Sequence, residues 1–173
     1  MGIEEIKKIN IEAGIVPSER QFLYKIVSKY KPRCILETGS GASSLCFLEA
    51  LKDIERGVLY SIDLPNLEGR GSCKFTWKEQ SNWHIYEEDI IIRLPILCSQ
   101  LDNIDLFFHD SKHTSQHLFF EFNCVEPKLQ SNSLIGIHDI THPDMLCFIG
   151  WLNKQCNFEY VGCKRHLGFW RKK

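Results

Sequence analysis

The chain has 173 residues, enough for one domain with a substantial hydrophobic core. Its aromatic content of 12% and its charged content of 25% exclude a chain that is mainly disordered. The 21 basic and 22 acidic residues give a formal net charge of −1, which argues against binding nucleic acid through a general excess of positive charge.

Cysteine usage and hydropathy both favour the cytoplasm. There are eight cysteines, none of them in a Cys-x-x-Cys motif, which argues against a zinc ribbon and predicts buried free thiols in a reducing compartment. The sequence shows neither an apolar run of about 20 residues nor an apolar secretory core near Met1. We therefore expect a cytoplasmic protein with no membrane partner.

The pattern along the chain alternates short apolar strands with helical periods. Residues 1–17 are predicted to form an N-terminal arm with a short amphipathic helix, and Ser18–Gln21 is predicted to be the capping box of the next helix. Strands are predicted at residues 34–36, 57–63, 84–86, 104–108 and 133–137, with two closing strands near 158–161 and 167–170. Helical spacing separates them over 22–30, 45–51, 91–101, 118–129 and 143–154.

This alternation predicts one α/β domain over residues 1–173. We expect a Rossmann-like, doubly wound and mostly parallel sheet of seven strands, with helices on both faces. The ligands of such a sheet lie at the carboxyl ends of its strands. An acidic residue falls at the carboxyl end of each of the first five predicted strands: Glu37, Asp63, Asp89, Asp110 and Asp139. Each could instead cap the next helix, but together they favour a site.

A short glycine turn, Gly39-Ser40-Gly41, follows the first strand and opens a helix. Such a turn lets a ligand approach the backbone, and the helix start offers free N–H groups. A nucleotide-binding Walker loop is excluded because no Gly-Lys-Ser/Thr follows. The dinucleotide fingerprint is incomplete because Ser44 replaces its third glycine. Asp63, at the end of the next strand, could hold two ribose hydroxyls.

Three segments together resemble the class I S-adenosylmethionine-dependent methyltransferases. They are Glu37-x-Gly39-x-Gly41-x-Ser43 with Asp63, residues 104–113 with Asp110 and His113, and residues 133–140 with His138 and Asp139. The sequence is most similar to the small O-methyltransferase branch, which is related to the catechol and macrolide-sugar O-methyltransferases. The turn before the fifth strand departs from the family pattern, since Ser131-Asn132-Ser133 stands where glycine is usual.

The resemblance implies a cofactor site for S-adenosylmethionine. Gly39, Ser40 and Gly41 would line its methionine part, with Glu37 near the amino group. Asp63 would bind the ribose hydroxyls and Asp89 would lie beside the adenine. The full set of cofactor-binding candidates is Glu37, Gly39, Ser40, Gly41, Ser43, Asp63, Asp89 and Asp110.

The histidines and aspartates after the fourth and fifth strands are the catalytic candidates. His138 or His113 could remove a proton from the acceptor, oriented by Asp110 or Asp139, because a neutral imidazole suits that task. The metal-dependent relatives instead place Mg²⁺ here, and Asp110 and Asp139 match two of its ligand positions. Ile140 stands at the third position and cannot coordinate. The histidines would favour zinc, iron or manganese.

The resemblance implies O-methylation of a small-molecule or sugar hydroxyl. A non-catalytic cofactor-binding subunit and a metal-dependent hydrolase that uses the His-Asp clusters remain alternatives. The loop Leu64–Gln80 has the composition of a mobile lid over the acceptor. A homodimer is also left open by the N-terminal arm.

Overall fold

The computed structural model describes residues 14–65 and 81–173. Seven strands of these residues form one sheet, and five α-helices pack against it. Most of the predicted N-terminal arm (residues 1–13) and most of the predicted lid (residues 66–80) lie outside this description. In the part of the chain that is described, no helix is long and apolar enough to cross a membrane.

The elements follow the predicted alternation. The strands are β1 (Cys34–Thr38), β2 (Val58–Asp63), β3 (Trp83–Glu87), β4 (Ile104–His109), β5 (Leu129–Ile137), β6 (Phe158–Lys164) and β7 (Leu167–Lys172). The helices are α1 (Pro17–Tyr30), α2 (Ala42–Asp53), α3 (Ile90–Gln100), α4 (Ser115–Val125) and α5 (Leu146–Leu152). Two 3₁₀ turns, Glu126–Lys128 and Pro143–Met145, precede β5 and α5.

The strand order is β3-β2-β1-β4-β5-β7-β6. Neighbours from β3 through β5 are parallel, whereas β7 runs antiparallel to both β5 and β6. The predicted fold class, a mostly parallel seven-stranded sheet, is confirmed. The chain order of the strands reverses at β1, between its neighbours β2 and β4, which creates the crevice where such sheets bind ligands.

Two apolar layers cover the faces of the sheet. Alternation along β4 sends Leu106 and Phe108 to the layer of α1 and α2, and Phe107 to the layer of α3, α4 and α5. Because strands with both faces covered must be apolar throughout, β4 reads as a nearly continuous hydrophobic run. This burial holds the carboxyl ends of the central strands in a fixed arrangement.

The start of α1 differs from the expected capping box. The helix begins at Pro17, and the residue before it, Val16, is the N-cap. The Glu19 carboxylate accepts a hydrogen bond from the Val16 N–H at 2.9 Å. The predicted box over Ser18–Gln21 is therefore wrong by two residues. The reason is that proline favours the first helical position, where its missing N–H is not needed.

Strand β5 begins at Leu129, earlier than the expected 133, and it contains the unusual turn. Asn132 takes the left-handed backbone conformation, with φ 73°, that glycine supplies elsewhere. The Ser133 hydroxyl accepts from the Gln130 N–H and donates to the Ile104 carbonyl, at 2.9 and 2.8 Å. These bonds hold the irregular start of β5 against β4.

Edge strand β6 is also irregular. Its register with β7 shifts between Tyr160 and Gly162, and Gly162 has φ 151°. Such a shift marks a bulge, which bends and twists the strand. The bulged segment lies at the outer edge of the antiparallel part of the sheet.

Candidate functional site

Glu37 lies at the centre of a buried group of hydroxyls. It is fully buried near the carboxyl end of β1, where its carboxyl accepts from Ser43 at 3.1 Å, from Ser61 at 2.6 Å and also from Ser44. Burial raises the pKa of Glu37 to about 8, and the three serine hydroxyls only partly oppose this effect. Ser43, a predicted site residue, therefore contacts Glu37. The carboxyl group ties α2 and β2 to β1.

The glycine turn is joined to Asp63 across the first two strand ends. Asp63 Oδ2 accepts from the backbone N–H of Ser40 at 3.1 Å and from its hydroxyl at 2.7 Å. Asp63 Oδ1 accepts from the Leu64 N–H at 2.9 Å. The side chain is 3% exposed. The structure thus brings together the predicted glycine turn and the carboxylate that is predicted to bind the ribose.

The two glycines of the turn have different surroundings. Gly39 has φ 81°, and a Cβ atom placed on it would lie 2.1 Å from the backbone carbonyl oxygen of Asp110. Only glycine permits this close approach between the ends of β1 and β4. A Cβ atom on Gly41 would meet nothing within 4 Å, so the space beside it can admit a ligand. Gly41 is also the N-cap of α2.

Four predicted catalytic residues converge above β4 and β5. Asp110 Oδ1 lies 3.1 Å from His138 Nδ1 and 3.4 Å from His113 Nε2. Asp139 Oδ2 lies 3.1 Å from His113 Nδ1 and 3.6 Å from His138 Nδ1. We refer to these four residues as the His-Asp cluster.

Charges within the His-Asp cluster shift its titration. Burial alone would raise the pKa of Asp110, but hydrogen bonds from His113 and His138 hold it below its usual value. Burial alone would lower the pKa of His138, but the bond to Asp110 and the charges of Asp139 and Glu19 raise it to about 9. With that pKa, His138 is mostly protonated at pH 7. The bond to Asp110 also raises the pKa of His113.

Glu19 joins the site, although the sequence analysis assigned it only to helix capping. It is 1% exposed, and its Oε2 lies 3.7 Å from His138 Nε2. Its Oε1 accepts from the His166 N–H at 2.9 Å. No local pattern signals this role, because the contact joins α1 to chain segments far away in sequence.

A second buried acid, Glu121 of α4, was also missed. It accepts from Thr38 at 3.0 Å and from Ser111 at 2.7 Å, and it lies 2.6 Å from His109 Nδ1. Burial alone would raise the pKa of Glu121, but the charge and hydrogen bonds of His109, with bonds from His117 and Ser111, lower it to about 2. This network fixes the ends of β1 and β4 beneath Asp110.

Asp89 has a simpler placement than the other strand-end acids. Its side chain is exposed, and Oδ1 accepts from the Ile91 N–H at 2.8 Å, which caps α3. The alternative that such an acid caps the next helix therefore applies here. Its expected place beside an adenine ring remains a prediction.

The residues fit the two implied ligands unequally. A buried carboxylate, a glycine turn and open space beside Gly41 suit a charged nucleoside such as S-adenosylmethionine. Mg²⁺ fits less well, because it prefers oxygen ligands. The two residues grouped with Asp110 are histidines, His113 and His138, which offer nitrogen. Ile140, at the third expected ligand position, packs its side chain in the apolar layer.

Comparison with known proteins agrees with this arrangement. The model of a family described as a methyltransferase domain matches residues 36–140, more than half of the chain. That range begins in β1 and ends just after β5, so it contains the glycine turn and the His-Asp cluster. A search of curated proteins by sequence finds no match.

Solved structures share the fold at low sequence identity. An O-methyltransferase from Bacillus cereus in complex with SAH is 14% identical, with a TM-score of 0.75, covering 99% of this chain and 90% of that one. The SAH-bound methyltransferase PaMTH1 from Podospora anserina is 14% identical, with a TM-score of 0.74, covering 99% and 86%. The O-methyltransferase TomG from Streptomyces achromogenes, solved with SAM, is 16% identical, with a TM-score of 0.68, covering 97% and 86%.

Proposed function

Because the chain belongs to this methyltransferase domain family, we propose that it is an S-adenosylmethionine-dependent O-methyltransferase whose acceptor is a small-molecule or sugar hydroxyl. One observation carries the proposal: the Gly39–Gly41 turn is bonded to buried Asp63 across the ends of β1 and β2. The neighbouring structures named above are O-methyltransferases or methyltransferases with SAH or SAM. Their likeness supports the choice of cofactor and of oxygen as acceptor.

On the cofactor side, Asp63 offers its carboxylate to the ribose hydroxyls, and Gly41 leaves room for the methionine part. The first N–H groups of α2 add a positive dipole end beside the turn. When bound, S-adenosylmethionine supplies a methyl group on a positively charged sulfur. Glu37 remains the candidate for the amino group, although its carboxyl is shared among three serines.

On the acceptor side, the His-Asp cluster lies across the switch point from Asp63. Its two imidazoles and two carboxylates can hold a hydroxyl and its proton. Orienting that hydroxyl is the larger contribution, about 7–11 kcal/mol in well-positioned reactions. The near-neutral charge of the chain favours a small acceptor over a nucleic acid.

A calorimetric titration with S-adenosylhomocysteine tests the cofactor assignment. We expect micromolar binding by the wild-type protein and at least about tenfold weaker binding by Asp63→Asn, because charge-assisted hydrogen bonds are lost. Asn can still accept from Ser40 but not also from the Leu64 N–H, so circular dichroism and thermal unfolding check that the variant is folded. Asp102→Asn is the matched control, since Asp102 is exposed in the turn before β4, at the opposite edge of the sheet. Absence of binding by folded wild-type protein would contradict the proposal.

A second assay separates the enzyme from a protein that only binds the cofactor. Methyl transfer from labelled S-adenosylmethionine would be followed with a panel of catechols and sugars. Transfer to a hydroxyl supports the proposed activity. Cofactor binding without transfer to any acceptor would favour the non-catalytic subunit.

The cytoplasm is the location that we propose. All seven cysteines in residues 14–65 and 81–173 are free thiols, and three of them, Cys147, Cys156 and Cys163, are exposed. Exposed free thiols suit a reducing compartment. Fractionation of the native cells, with detection by antibody, would test the assignment.

A further inference from the structure

We propose that Asp110, His113 and His138 bind a divalent transition-metal ion of the zinc class, in place of the magnesium ion that the family resemblance implies. One ligand atom from each of the three residues lies within 4.8 Å of the other two. They come from two loops, after β4 and after β5, that the parallel pairing of these strands brings side by side. The use of this ion in catalysis rests on the proposed function, whereas its binding does not.

Two of the three distances between the ligand atoms suit a zinc-class ion. Zinc binds nitrogen and oxygen at about 2.0–2.1 Å in a tetrahedron, which separates any two ligands by about 3.3 Å. Asp110 Oδ1 lies 3.1 Å from His138 Nδ1 and 3.4 Å from His113 Nε2. An ion bound here would replace the protons that these pairs share.

The opposite nitrogen of each imidazole faces another carboxylate. His113 points Nε2 at Asp110 and Nδ1 at Asp139, whose Oδ2 is 3.1 Å away. His138 points Nδ1 at Asp110 and Nε2 at Glu19, whose Oε2 is 3.7 Å away. Histidines that ligate a metal usually bond a carboxylate or carbonyl through their second nitrogen, which fixes the ring and strengthens the ligand. His113 has this arrangement at hydrogen-bond distance, and His138 approaches it with Glu19 at 3.7 Å. The orientation of these two histidines around one aspartate is the main support for the assignment.

The donor set also selects the class of ion. Two imidazoles and one carboxylate match the set of three protein ligands used in catalytic zinc sites, which keep a fourth position open. Magnesium holds water and carboxylates in preference to imidazole. Asp139 is therefore a hydrogen-bond partner of the ligand His113. This differs from the sequence prediction, in which Asp139 was itself a metal ligand.

The group is partly accessible from solvent. The side chain of His138 is 9% exposed, whereas those of Asp110 and His113 are 20% and 30% exposed. A cation held by these residues would lower the pKa of a hydroxyl that it binds. The two histidines would then serve as ligands, and neither would need to remove the proton.

Titration of the metal-free protein with Co²⁺ tests the site directly, because the visible absorption of Co²⁺ reports its ligands and geometry. We expect one ion per chain and displacement by Zn²⁺, but no displacement by a large excess of Mg²⁺. His113→Asn and Asp110→Asn should each weaken binding by more than about 100-fold, since even the loss of a supporting residue weakens metal affinity 10–100-fold. His84→Asn is the control, because His84 is exposed on β3 and stacks on Tyr60.

Folding is checked separately by circular dichroism and thermal unfolding of each variant. His113 is the most informative position, since its partial exposure makes a folding defect least expected. The proposal is overturned if Co²⁺ does not bind, if His113→Asn binds it as the wild type does, or if Mg²⁺ displaces it. S-adenosylhomocysteine is titrated into the same metal-free samples. Cofactor binding without metal binding refutes only the metal site, and the reverse result refutes only the proposed function.

Discussion

Gly39 is the residue at which the glycine turn and the His-Asp cluster meet. Its backbone packs directly on the carbonyl of Asp110, so any side chain at position 39 displaces the loop that carries the His-Asp cluster. Its φ of 81° adds a second requirement for glycine. The glycine turn therefore also positions the loop of the His-Asp cluster, although the sequence motif predicts only a role in cofactor binding.

Gly39→Ala is expected to lower the free energy of unfolding by about 1–3 kcal/mol, because it combines a backbone clash with a strained φ. Urea unfolding followed by circular dichroism measures the change. Gly150→Ala serves as the control, since Gly150 lies in α5 with open space around it. Alanine should raise stability there, by about 0.5–1 kcal/mol. Equal stability of Gly39→Ala and the wild type would contradict the close approach.

At the scale of elements, the strand-end acids divide into three groups. Glu37 and Asp63 are buried among hydroxyls and backbone amides. Asp110 and Asp139 join the His-Asp cluster, and Asp89 caps α3. The sequence predicted that these acids follow strands, because alternating apolar patterns locate strand ends well. It could not separate their environments, which depend on which strands are neighbours.

Glu19 and Glu121 show where prediction from sequence stops. Both look like ordinary helix residues, and both are fully or almost fully buried against residues far away in the chain. Glu19 reaches His166, 147 positions later, and Glu121 reaches Thr38, 83 positions earlier. Local periodicity carries no information about such contacts. The acid that supports a site is therefore harder to find than the acid that follows a strand.

The cap of α3 gives a prediction that separates a structural role of Asp89 from a binding role. Asp89→Ala is expected to reduce stability by about 1 kcal/mol, whereas Asp89→Ser should retain most of it because serine is also a good N-cap. Thermal unfolding measures both variants. If Asp89 also contacts the adenine, both variants bind S-adenosylhomocysteine more weakly. Wild-type affinity in Asp89→Ser would refute the contact with adenine.

At the scale of the whole molecule, two buried acids make stability depend on pH in opposite directions. The folded-state pKa of Glu37 is about 8, above its usual 4.5, so the folded chain keeps a proton that the unfolded chain loses. Stability therefore falls as pH rises from about 4.5 to 8. The pKa of Glu121 is about 2, so its contribution is present above pH 4.5 and is lost as pH falls to 2.

Glu37→Gln should remove much of the decline in stability between pH 5 and pH 8, because glutamine has no proton to lose. Free energies of unfolding from urea titrations at intervals across this range give the slope. Glu88→Gln is the control, since Glu88 is 47% exposed and pairs with Arg93 at 3.8 Å. The same slope in Glu37→Gln and the wild type would show that the buried carboxyl does not hold its proton.

The bulge in β6 affects how the molecule can associate with other chains. An exposed edge strand is a template on which other chains can add strands and aggregate. The break in register between Tyr160 and Gly162 interrupts the row of free backbone groups that such growth requires. Glu159 and Lys164 place charges along the same strand. A second copy of the chain could add a strand to this edge only if β6 first straightened. The bulge therefore protects the antiparallel edge of the sheet from open-ended polymerisation.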